Sequence, residues 1–141
     1  MNDEKYSIGI NTPVDPKEIL AVRSEPSGDE DLWRKCVDGA MCVVSAREVE
    51  TRRLIGIGFL VGNHRHAQLA DLVVHHSARK NGVGGRIFDA LVRYAKEQQI
   101  AFIGLTWDKK SPWLKDFYAR HGFREIDFAM WEEHSLAATQ N

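Results

Sequence analysis

The chain has 141 residues, of which 43% are hydrophobic and 28% are charged, and its 19 basic side chains nearly balance its 20 acidic ones. This profile is typical of one soluble globular domain, and we therefore predict a single domain over residues 1–141. The near balance of charge argues against a nucleic-acid-binding module, whose composition is strongly basic. Apolar stretches of at most about eight residues are too short to span a bilayer, so we expect no membrane partner.

The cysteines and the distribution of charge indicate the compartment and the ligands. Cys36 and Cys42 are too few for the disulfide framework of a secreted domain, which favours the reducing cytoplasm. Asp3 and Glu4 stand where a signal peptide would carry basic residues. Residues 1–50 have a net charge of −5 and residues 51–141 one of +4. This predicts an anionic ligand for the second part of the chain, the alternative being ordinary scatter of charge.

The first forty residues alternate between short periodic segments and turn-forming residues. Tyr6, Ile8 and Ile10 alternate with small residues, which predicts a half-buried strand. Asp15 followed by Pro16 is typical of a helix start. From these signals we predict a strand over residues 6–10, a helix over 16–22, a loop over 24–30 and a helix over 31–37.

Three runs rich in β-branched residues follow, separated by polar turns. They predict an antiparallel meander of strands over residues 40–46, 54–61 and 69–74. His64 and His66 lie in the second turn, which we interpret as a solvated hairpin tip rather than a metal site.

The hydrophobic period then changes from two to that of a helix over residues 85–98, with Ile87, Leu91 and Ala95 on one face. A strand over 101–107, a helix over 112–120 ended by Gly122 and a strand over 123–131 are predicted after it. A crossover helix between two strands requires those strands to be parallel. The sequence therefore predicts an α+β fold with a mixed, mostly antiparallel central sheet, a parallel β-α-β crossover and flanking helices.

The segment from Arg79 to Arg86 reads RKNGVGGR and joins the meander to the long helix. Three glycines within four positions let a ligand's phosphates approach backbone N–H groups, and a helix start favours an anion. It is not a P-loop, because no Gly-Lys-Ser/Thr follows, nor a dinucleotide fingerprint, because Ile87 replaces the third glycine. We interpret it as a phosphate-binding loop; a turn that only starts the helix would explain one or two of its glycines.

The loop and its surroundings resemble the GNAT superfamily of N-acetyltransferases. Arg79-x-x-Gly82-x-Gly84, preceded by a strand that ends DLVVH, is similar to that family's acetyl-CoA pyrophosphate loop, and FYARHGF at 117–123 resembles its late helix end. The resemblance implies a GNAT-like fold, acetyl-CoA as cosubstrate and pairing of the pantetheine arm with the strand. The implied cofactor-binding residues are Leu72, Val73, Val74, Arg79, Lys80, Asn81, Gly82, Val83, Gly84 and Gly85.

The resemblance also assigns Tyr118 the role of general acid, which protonates the thiolate of departing CoA; the alternative is an aromatic core residue. An acceptor amine must in addition lose a proton to a group within reach. Asp71 is the candidate, because a carboxylate inside an apolar strand is costly unless it is partnered or useful. The alternative for Asp71 is a structural hydrogen-bonding role. His75 and His76, at the exit of the strand, are further candidates, for which the alternative is a solvated loop position. The predicted catalytic residues are thus Tyr118 and Asp71.

The resemblance therefore implies an enzyme that transfers an acetyl group from acetyl-CoA to a primary amine by direct attack, without a metal. A non-catalytic CoA-sensing or interaction domain and a protein-modifying acetyltransferase are the alternatives. The expected partner is a small-molecule or peptide amine, with no nucleic acid, and a homodimer is left open. Residues 25–31, EPSGDED, carry four acids in seven positions. They predict a cationic acceptor, the alternative being a solvated loop.

Overall fold

A computed structural model of the chain describes residues 5–106 and 113–126. The chain divides into two compact units, residues 1–106 and residues 107–141. The single domain predicted over residues 1–141 stays a prediction. No helix in the described part of the chain has both the length and the hydrophobicity needed to cross a membrane.

A five-stranded sheet organises the first unit. Its strands are β1 (Tyr6–Ile10), β2 (Cys42–Glu48), β3 (Leu54–Gly62), β4 (His66–Val74) and β5 (Phe102–Gly104). They lie in chain order, with antiparallel pairing from β1 to β4 and a parallel pair between β4 and β5. The helices are α1 (Pro16–Val22), α2 (Glu30–Gly39) and α3 (Val83–Glu97), and a short 3₁₀ turn spans His76–Ala78. The predicted mixed sheet with a parallel crossover is confirmed.

The helix α1 begins where the sequence predicts. The Asp15 side chain accepts a hydrogen bond from the N–H of Lys17 at 2.9 Å, and Glu18 Oε1 accepts one from the N–H of Asp15 at 3.0 Å. These bonds satisfy N–H groups that the first helical turn leaves without partners, and Pro16 fits there because it has no N–H to lose. Local sequence alone is therefore enough to place this helix start.

Two apolar clusters, one on each face of the sheet, hold the helices. One packs α3 against the sheet through Ile87 and Leu91, and the other packs α1 and α2 through residues such as Ile19 and Trp33. A Cβ on Gly56 would lie 2.8 Å from Ile87 Cδ1. This glycine of β3 therefore permits the close approach of α3, and through it the position of the glycine-rich loop that begins the helix.

A β-bulge interrupts the pairing of β3 with β4. Ile57 pairs with Val73 and Phe59 with Ala70, so Gly58 lies opposite two residues of β4, Asp71 and Leu72. Asp71 has φ = 53°, in the left-handed region that Asp and Asn tolerate best among residues other than glycine. Strict alternation would place Ala70 and Val73 on opposite faces, yet the extra residue brings both to the α1–α2 face.

Several predicted boundaries move by a few residues. The strand predicted from residue 69 begins at His66, the helix predicted from residue 85 begins at Val83, and the strand predicted over 101–107 is Phe102–Gly104, with residue 107 outside the described residues. In the second unit, α4 (Trp113–Arg120) ends where predicted and Gly122 follows with φ = 89°. Residues 123–126 form no strand, and the rest of the predicted strand over 123–131 lies outside the described residues.

An ion pair ties α1 to the sheet and yields a stability prediction. Arg47 Nη2 of β2 donates to Glu18 Oε1 at 3.0 Å, and its Nη1 donates to Oε2. The bonds from Arg47 lower the pKa of the Glu18 carboxyl. Because removal of one partner leaves a half-buried charge, Glu18→Gln should reduce the free energy of unfolding at pH 7 by about 1–2 kcal/mol. Denaturant titration of both proteins measures this difference.

The pH dependence has a definite sign. A carboxyl group whose pKa is lowered on folding stabilises the protein at pH values above its pKa in the unfolded chain. This stabilisation is lost as the pH falls through the pKa of the folded state. The difference between wild type and Glu18→Gln should therefore shrink below about pH 4.5. Asp31→Asn is the control, because the Lys35–Asp31 pair is 76% and 70% exposed and should contribute under about 0.5 kcal/mol. Equal losses in both variants, or a loss that persists in acid, would contradict the prediction.

Candidate active site

The carboxyl half of β4 has an open edge. β5 pairs with β4 only where Phe102–Gly104 lie beside His66–Gln68. Within residues 5–106 and 113–126, no strand pairs with residues 69–74 on that side. Two parallel neighbours that pair at one end and not at the other leave a cleft at the carboxyl end of the strand, where α/β folds commonly bind ligands.

Antiparallel pairing decides which backbone groups of β4 face this edge. The N–H of His75 donates to the carbonyl of Ile55 at 2.8 Å. Hydrogen-bonded pairs recur at every second residue, so Val73 bonds to Ile57 and Val74 lies opposite Gly56 without a bond to it. The N–H and C=O of Val74 therefore point away from β3, toward the open edge. Leu72 lies at the bulge, next to this position.

The glycine-rich loop follows directly and offers an anion site. Gly82 precedes α3 with φ = 77°, and no side chain caps the helix. The first helical bond runs from the N–H of Arg86 to the carbonyl of Gly82 at 3.1 Å. The N–H groups of Val83, Gly84 and Gly85 have no acceptor among the described residues. Three orphan N–H groups at the positive end of a 15-residue helix are a ready binding site for phosphate.

Packing against the described residues does not require two of the three glycines to lack a side chain. Gly82 requires its positive φ, but Gly84 and Gly85 lie inside α3 with ordinary helical φ. A Cβ on Gly85 would meet nothing within 4 Å, and one on Gly84 would make only an ordinary contact of 3.6 Å with Val74 Cγ2. Glycine in a helix costs about 1 kcal/mol relative to alanine. The contacts of the described residues therefore give no structural reason for either glycine, and their role in binding a ligand stays a prediction.

The predicted cations of the loop lie in different environments. Arg79 Nε donates to the carbonyl of Val74 at 3.1 Å, and Lys80 is exposed with φ = 66°. Asn81 donates from Nδ2 to the carbonyls of Ala78 and Arg79, both at 3.2 Å, which holds the turn together. Arg86 donates to the carbonyl of Tyr6 on β1 at 3.3 Å. Arg79 and Lys80 are thus the exposed cations at the loop, whereas Arg86 also braces α3 against β1.

Asp71 is exposed, which overturns the premise that singled it out. The sequence places a carboxylate inside an apolar strand, but the bulge turns that side chain out to solvent. Its negative charge still reaches α2: burial raises the pKa of the Cys36 thiol, and the Asp71 carboxylate raises it further. Asp71 therefore lies near α2 on the side of the sheet that carries Ala70 and Val73.

His75 is committed to a structural bond through one ring nitrogen. The N–H of Ser77 donates to His75 Nδ1 at 3.2 Å, and Ser77 Oγ lies 2.7 Å from the same atom. Nδ1 must therefore be the unprotonated acceptor, and burial together with the charges of His76, Arg53 and Arg79 lowers the pKa of the imidazole. Protonation at Nδ1 would break the bond that caps the 3₁₀ turn, so the geometry favours Asp71 over His75 as proton acceptor.

The acidic segment and the hairpin tip have local structural partners. Asp29 caps α2 by accepting from the N–H of Leu32 at 3.0 Å, Glu25 pairs with Arg23 at 3.3 Å, and Asp31 pairs with Lys35 at 3.3 Å. Most of the acidic charge is therefore explained without an acceptor. The His66 ring contacts Phe102 edge-on at 4.8 Å between centroids, and no group of three metal-ligating side chains occurs in the described part of the chain.

Tyr118 lies on α4, in the second unit. Its ring makes edge contacts with Phe117 at 5.5 Å and Phe123 at 6.5 Å between centroids. Burial raises the pKa of the phenol, so the hydroxyl keeps its proton throughout the neutral and mildly basic range. This protonation state is the one a general acid needs. The structure places Val74 beside the glycine-rich loop and Asp71 at the bulge three residues before Val74, and the roles of all these residues and of Tyr118 stay predictions.

Comparison with known proteins identifies the family. The model of the acetyltransferase (GNAT) family matches residues 14–123. The chain therefore belongs to the GNAT acetyltransferases, which supports acetyl transfer, with acetyl-CoA as the family's usual donor, as its chemistry. No curated protein matches the chain.

Solved structures agree in fold at low sequence identity. A GNAT family acetyltransferase from Streptococcus pneumoniae is 15% identical with a TM-score of 0.75, and the match covers 92% of this chain and 99% of that one. An acetyltransferase from Trypanosoma brucei is 17% identical with a TM-score of 0.74, covering 91% and 99%. Glucosamine-6-phosphate N-acetyltransferase from Arabidopsis thaliana is 12% identical with a TM-score of 0.69, covering 92% and 99%. At these identities the likeness shows the fold alone.

Three features of the site were missed by sequence reasoning. The bond from Arg79 to Val74 and the use of His75 as a cap both depend on the 3₁₀ turn at His76–Ala78, which was not predicted. The available signal was the Ser two positions after His75, because a serine hydroxyl commonly bonds to a neighbour two residues away. The nearness of Cys36 to Asp71 had no signal in the sequence, since the two residues lie on separate elements.

Proposed function

We propose that the protein transfers an acetyl group from acetyl-CoA to a primary amine by direct nucleophilic attack. The observation that carries this proposal is the pair of glycines, Gly84 and Gly85, that the chain does not need for its own packing and that lie beside three orphan N–H groups. The pyrophosphate of the donor binds at this loop, with Lys80 and Arg79 supplying charge. The pantetheine arm pairs with Val74 along the open edge of β4, beside Leu72 and Val73.

The state of the cysteines supports direct attack. Burial raises the pKa of Cys42 to about 11, and burial and the charge of Asp71 raise that of Cys36. Neither thiol is ionised near neutral pH, so neither is a ready nucleophile for a covalent acetyl-cysteine intermediate. The amine nitrogen instead attacks the thioester carbonyl, the C–S bond breaks, and the acetyl group remains on nitrogen.

The nitrogen of the ammonium acceptor loses two protons during the reaction, and the sulfur of departing CoA gains one. Asp71 takes the first proton before the attack, directly or through one water, and Tyr118 gives a proton to the sulfur. The second proton, which the nitrogen loses after the attack, restores the Tyr118 phenol. An exposed carboxylate at the bulge also favours an acceptor that arrives positively charged, to which Glu30 and its acidic neighbours add attraction. We propose a cationic amine, a small molecule or a peptide, as the acceptor, with no metal and no nucleic acid, in a cytoplasmic enzyme.

The alternative is a CoA-sensing domain, which would bind acetyl-CoA at the same site but would not transfer the acetyl group. Two results together would favour it. Calorimetry would detect binding of acetyl-CoA, and the protein would release no free thiol from acetyl-CoA, above the rate in water, with any of a panel of cationic, neutral and anionic amines at low and high salt. Release of thiol with polyamine or lysine-type substrates, and weaker selection at high salt, supports the enzyme. Turnover with intact proteins in preference to small amines would favour a protein-modifying acetyltransferase.

Asp71→Asn separates the chemical role of Asp71 from its backbone role. Asn tolerates the left-handed conformation that the bulge requires, so the fold should persist. Loss of the proton acceptor is expected to lower kcat/KM at pH 7 by about 10²-fold. The loss should shrink at high pH, where more of the acceptor is already neutral. Steady-state rates from pH 6 to 10 measure this profile.

The exposed Asp38→Asn at the end of α2 is the matched control and should leave the profile of the wild type unchanged. A loss in Asp71→Asn that stays constant across the pH range would mean that Asp71 positions the bulge or the acceptor and does not take the proton.

A further inference from the structure

The carbonyl of Val74 is the backbone acceptor that the open edge of β4 presents at its carboxyl end. Because Val74 lies in a pair without hydrogen bonds to β3, its oxygen points toward the edge where the proposed donor's amide chain would pair. Arg79 Nε lies 3.1 Å from that oxygen. The guanidinium therefore occupies the space through which an N–H of the donor would reach it.

The backbone at Arg79 is held and its side chain is not buried. The N–H of Ala78 donates to the carbonyl of His75 at 2.9 Å, and Ala78 is only 2% exposed. The Arg79 side chain itself is exposed and bonds to a neutral carbonyl. Rotation of the side chain alone would release Val74 without disturbing the turn.

A phosphate is the stronger partner for this guanidinium. Charge-assisted bonds from arginine to phosphate are about twice as strong as bonds to a neutral acceptor, and they are often bidentate. The orphan N–H groups of Val83, Gly84 and Gly85, where the proposed phosphates bind, begin four residues after Arg79. An anion at these groups would draw Arg79 away from Val74.

We propose that Arg79 determines which acyl donors the protein accepts, by closing the Val74 carbonyl to donors without phosphate and opening it to donors that carry a pyrophosphate. The inference rests on the proposed function, because it concerns the donor site. A pantetheine thioester without phosphate must displace Arg79 and provides no new partner for it. A CoA thioester supplies that partner in the same molecule.

Lys80 provides the matched control. It is exposed, belongs to the same loop and carries the same charge, but it makes no bond to the carbonyl of Val74. Arg79→Ala and Lys80→Ala should both weaken the binding of acetyl-CoA, because each removes a cation near the pyrophosphate. Only Arg79→Ala should strengthen the binding of S-acetylpantetheine, by about three- to tenfold, the worth of one freed hydrogen bond. Arg79→Met, which also lacks a donor, should behave in the same way if the alanine variant folds poorly.

A second measurement adds a free anion to the wild-type protein and uses Arg79→Ala as its control. Inorganic pyrophosphate added to the wild-type protein should increase its affinity for S-acetylpantetheine by about three- to tenfold, because the anion moves Arg79. It should have no such effect on the affinity of Arg79→Ala. Calorimetric titrations with and without pyrophosphate give both numbers. Weaker or unchanged binding of S-acetylpantetheine to Arg79→Ala, or no effect of pyrophosphate on the wild type, would overturn the inference. Failure of the wild type to bind acetyl-CoA at all would instead overturn the proposed function.

Discussion

Gly84→Val is expected to weaken acetyl-CoA binding by at least about 100-fold while the protein stays folded. A Cβ at this position meets only Val74 Cγ2 at 3.6 Å, so the chain itself has room for the side chain. Valine is also a better helix former than glycine by a few tenths of a kcal/mol, so α3 should not lose stability. The branched side chain would instead fill the space that a phosphate needs to reach the orphan N–H groups of the first turn. Calorimetry with acetyl-CoA and thermal unfolding of the same samples measure the two effects.

Three companion variants make this result specific. Gly84→Ala should weaken binding less than valine, because its single methyl group fills less of the cradle. Gly39→Ala, at the end of α2 and with nothing within 4 Å of the added Cβ, should leave acetyl-CoA affinity unchanged. Gly82 is a poor choice, because its φ of 77° would strain any other residue and confuse binding with folding. Wild-type affinity in folded Gly84→Val would remove the loop from the donor site.

Tyr118→Phe is expected to lower kcat by about 10²- to 10⁴-fold with little change in the KM for acetyl-CoA. The substitution removes only the hydroxyl and retains the ring that contacts Phe117 and Phe123. Because burial raises the phenol pKa above its ordinary value of 10, the wild-type hydroxyl is protonated at neutral pH and can supply a proton to the leaving thiolate. Stopped assays of thiol release at saturating acetyl-CoA measure the effect.

Tyr94→Phe controls for the loss of a phenol elsewhere. Tyr94 lies on α3 and packs against the core cluster, so its variant should keep the kcat of the wild type. The dependence on pH adds a second criterion: because burial raises the pKa of Tyr118, its ionisation should lower the wild-type rate only at a higher pH than that of an ordinary phenol. A full-rate Tyr118→Phe enzyme would mean that water or another group protonates the thiolate, and Tyr118 would then be an aromatic packing residue.

Most acidic side chains of residues 25–31 have local structural partners, which reduces the need for a role in attracting the acceptor. Asp29 is required to cap α2, and Glu25 and Asp31 pair with cations of their own segment. Exposed pairs of this kind contribute little to stability, and their net field on a ligand is partly cancelled by the partner cation. If the acceptor is cationic, as we propose, we expect its selection to depend on Asp71 more than on the acidic segment, and a salt-sensitive preference lost in Asp71→Asn would show this.

Elements with strong local signals were predicted well. The start of α1 at Asp15 and Pro16 and the αL residue Gly122 after α4 depend on contacts within about four residues, which a linear pattern contains. The first strand, Tyr6–Ile10, was located by its alternation of large and small residues, although it pairs with the distant β2. The parallel crossover between β4 and β5 followed from the order of strands and the single long helix between them. The boundaries of β4 and α3 were wrong by two or three residues, because pairing with neighbours extends an element past its own periodic pattern.

By itself, the sequence determined the kind of fold and the position of the glycine-rich loop, for which donor binding is our proposal. Glycine spacing and helix periodicity are local properties, and RKNGVGGR between a strand and a helix specifies both an N-terminus without a side-chain cap and room for phosphate. Only the tertiary structure decided how the neighbouring groups are used. The bulge opposite Gly58 turns Asp71 to solvent, where its charge acts on Cys36. The N–H of Ser77 bonds to His75 Nδ1, and Arg79 donates to the carbonyl of Val74. Each of these depends on strand register or on a turn that brings separate groups within hydrogen-bonding distance, and neither is encoded in the spacing of residue types along the chain.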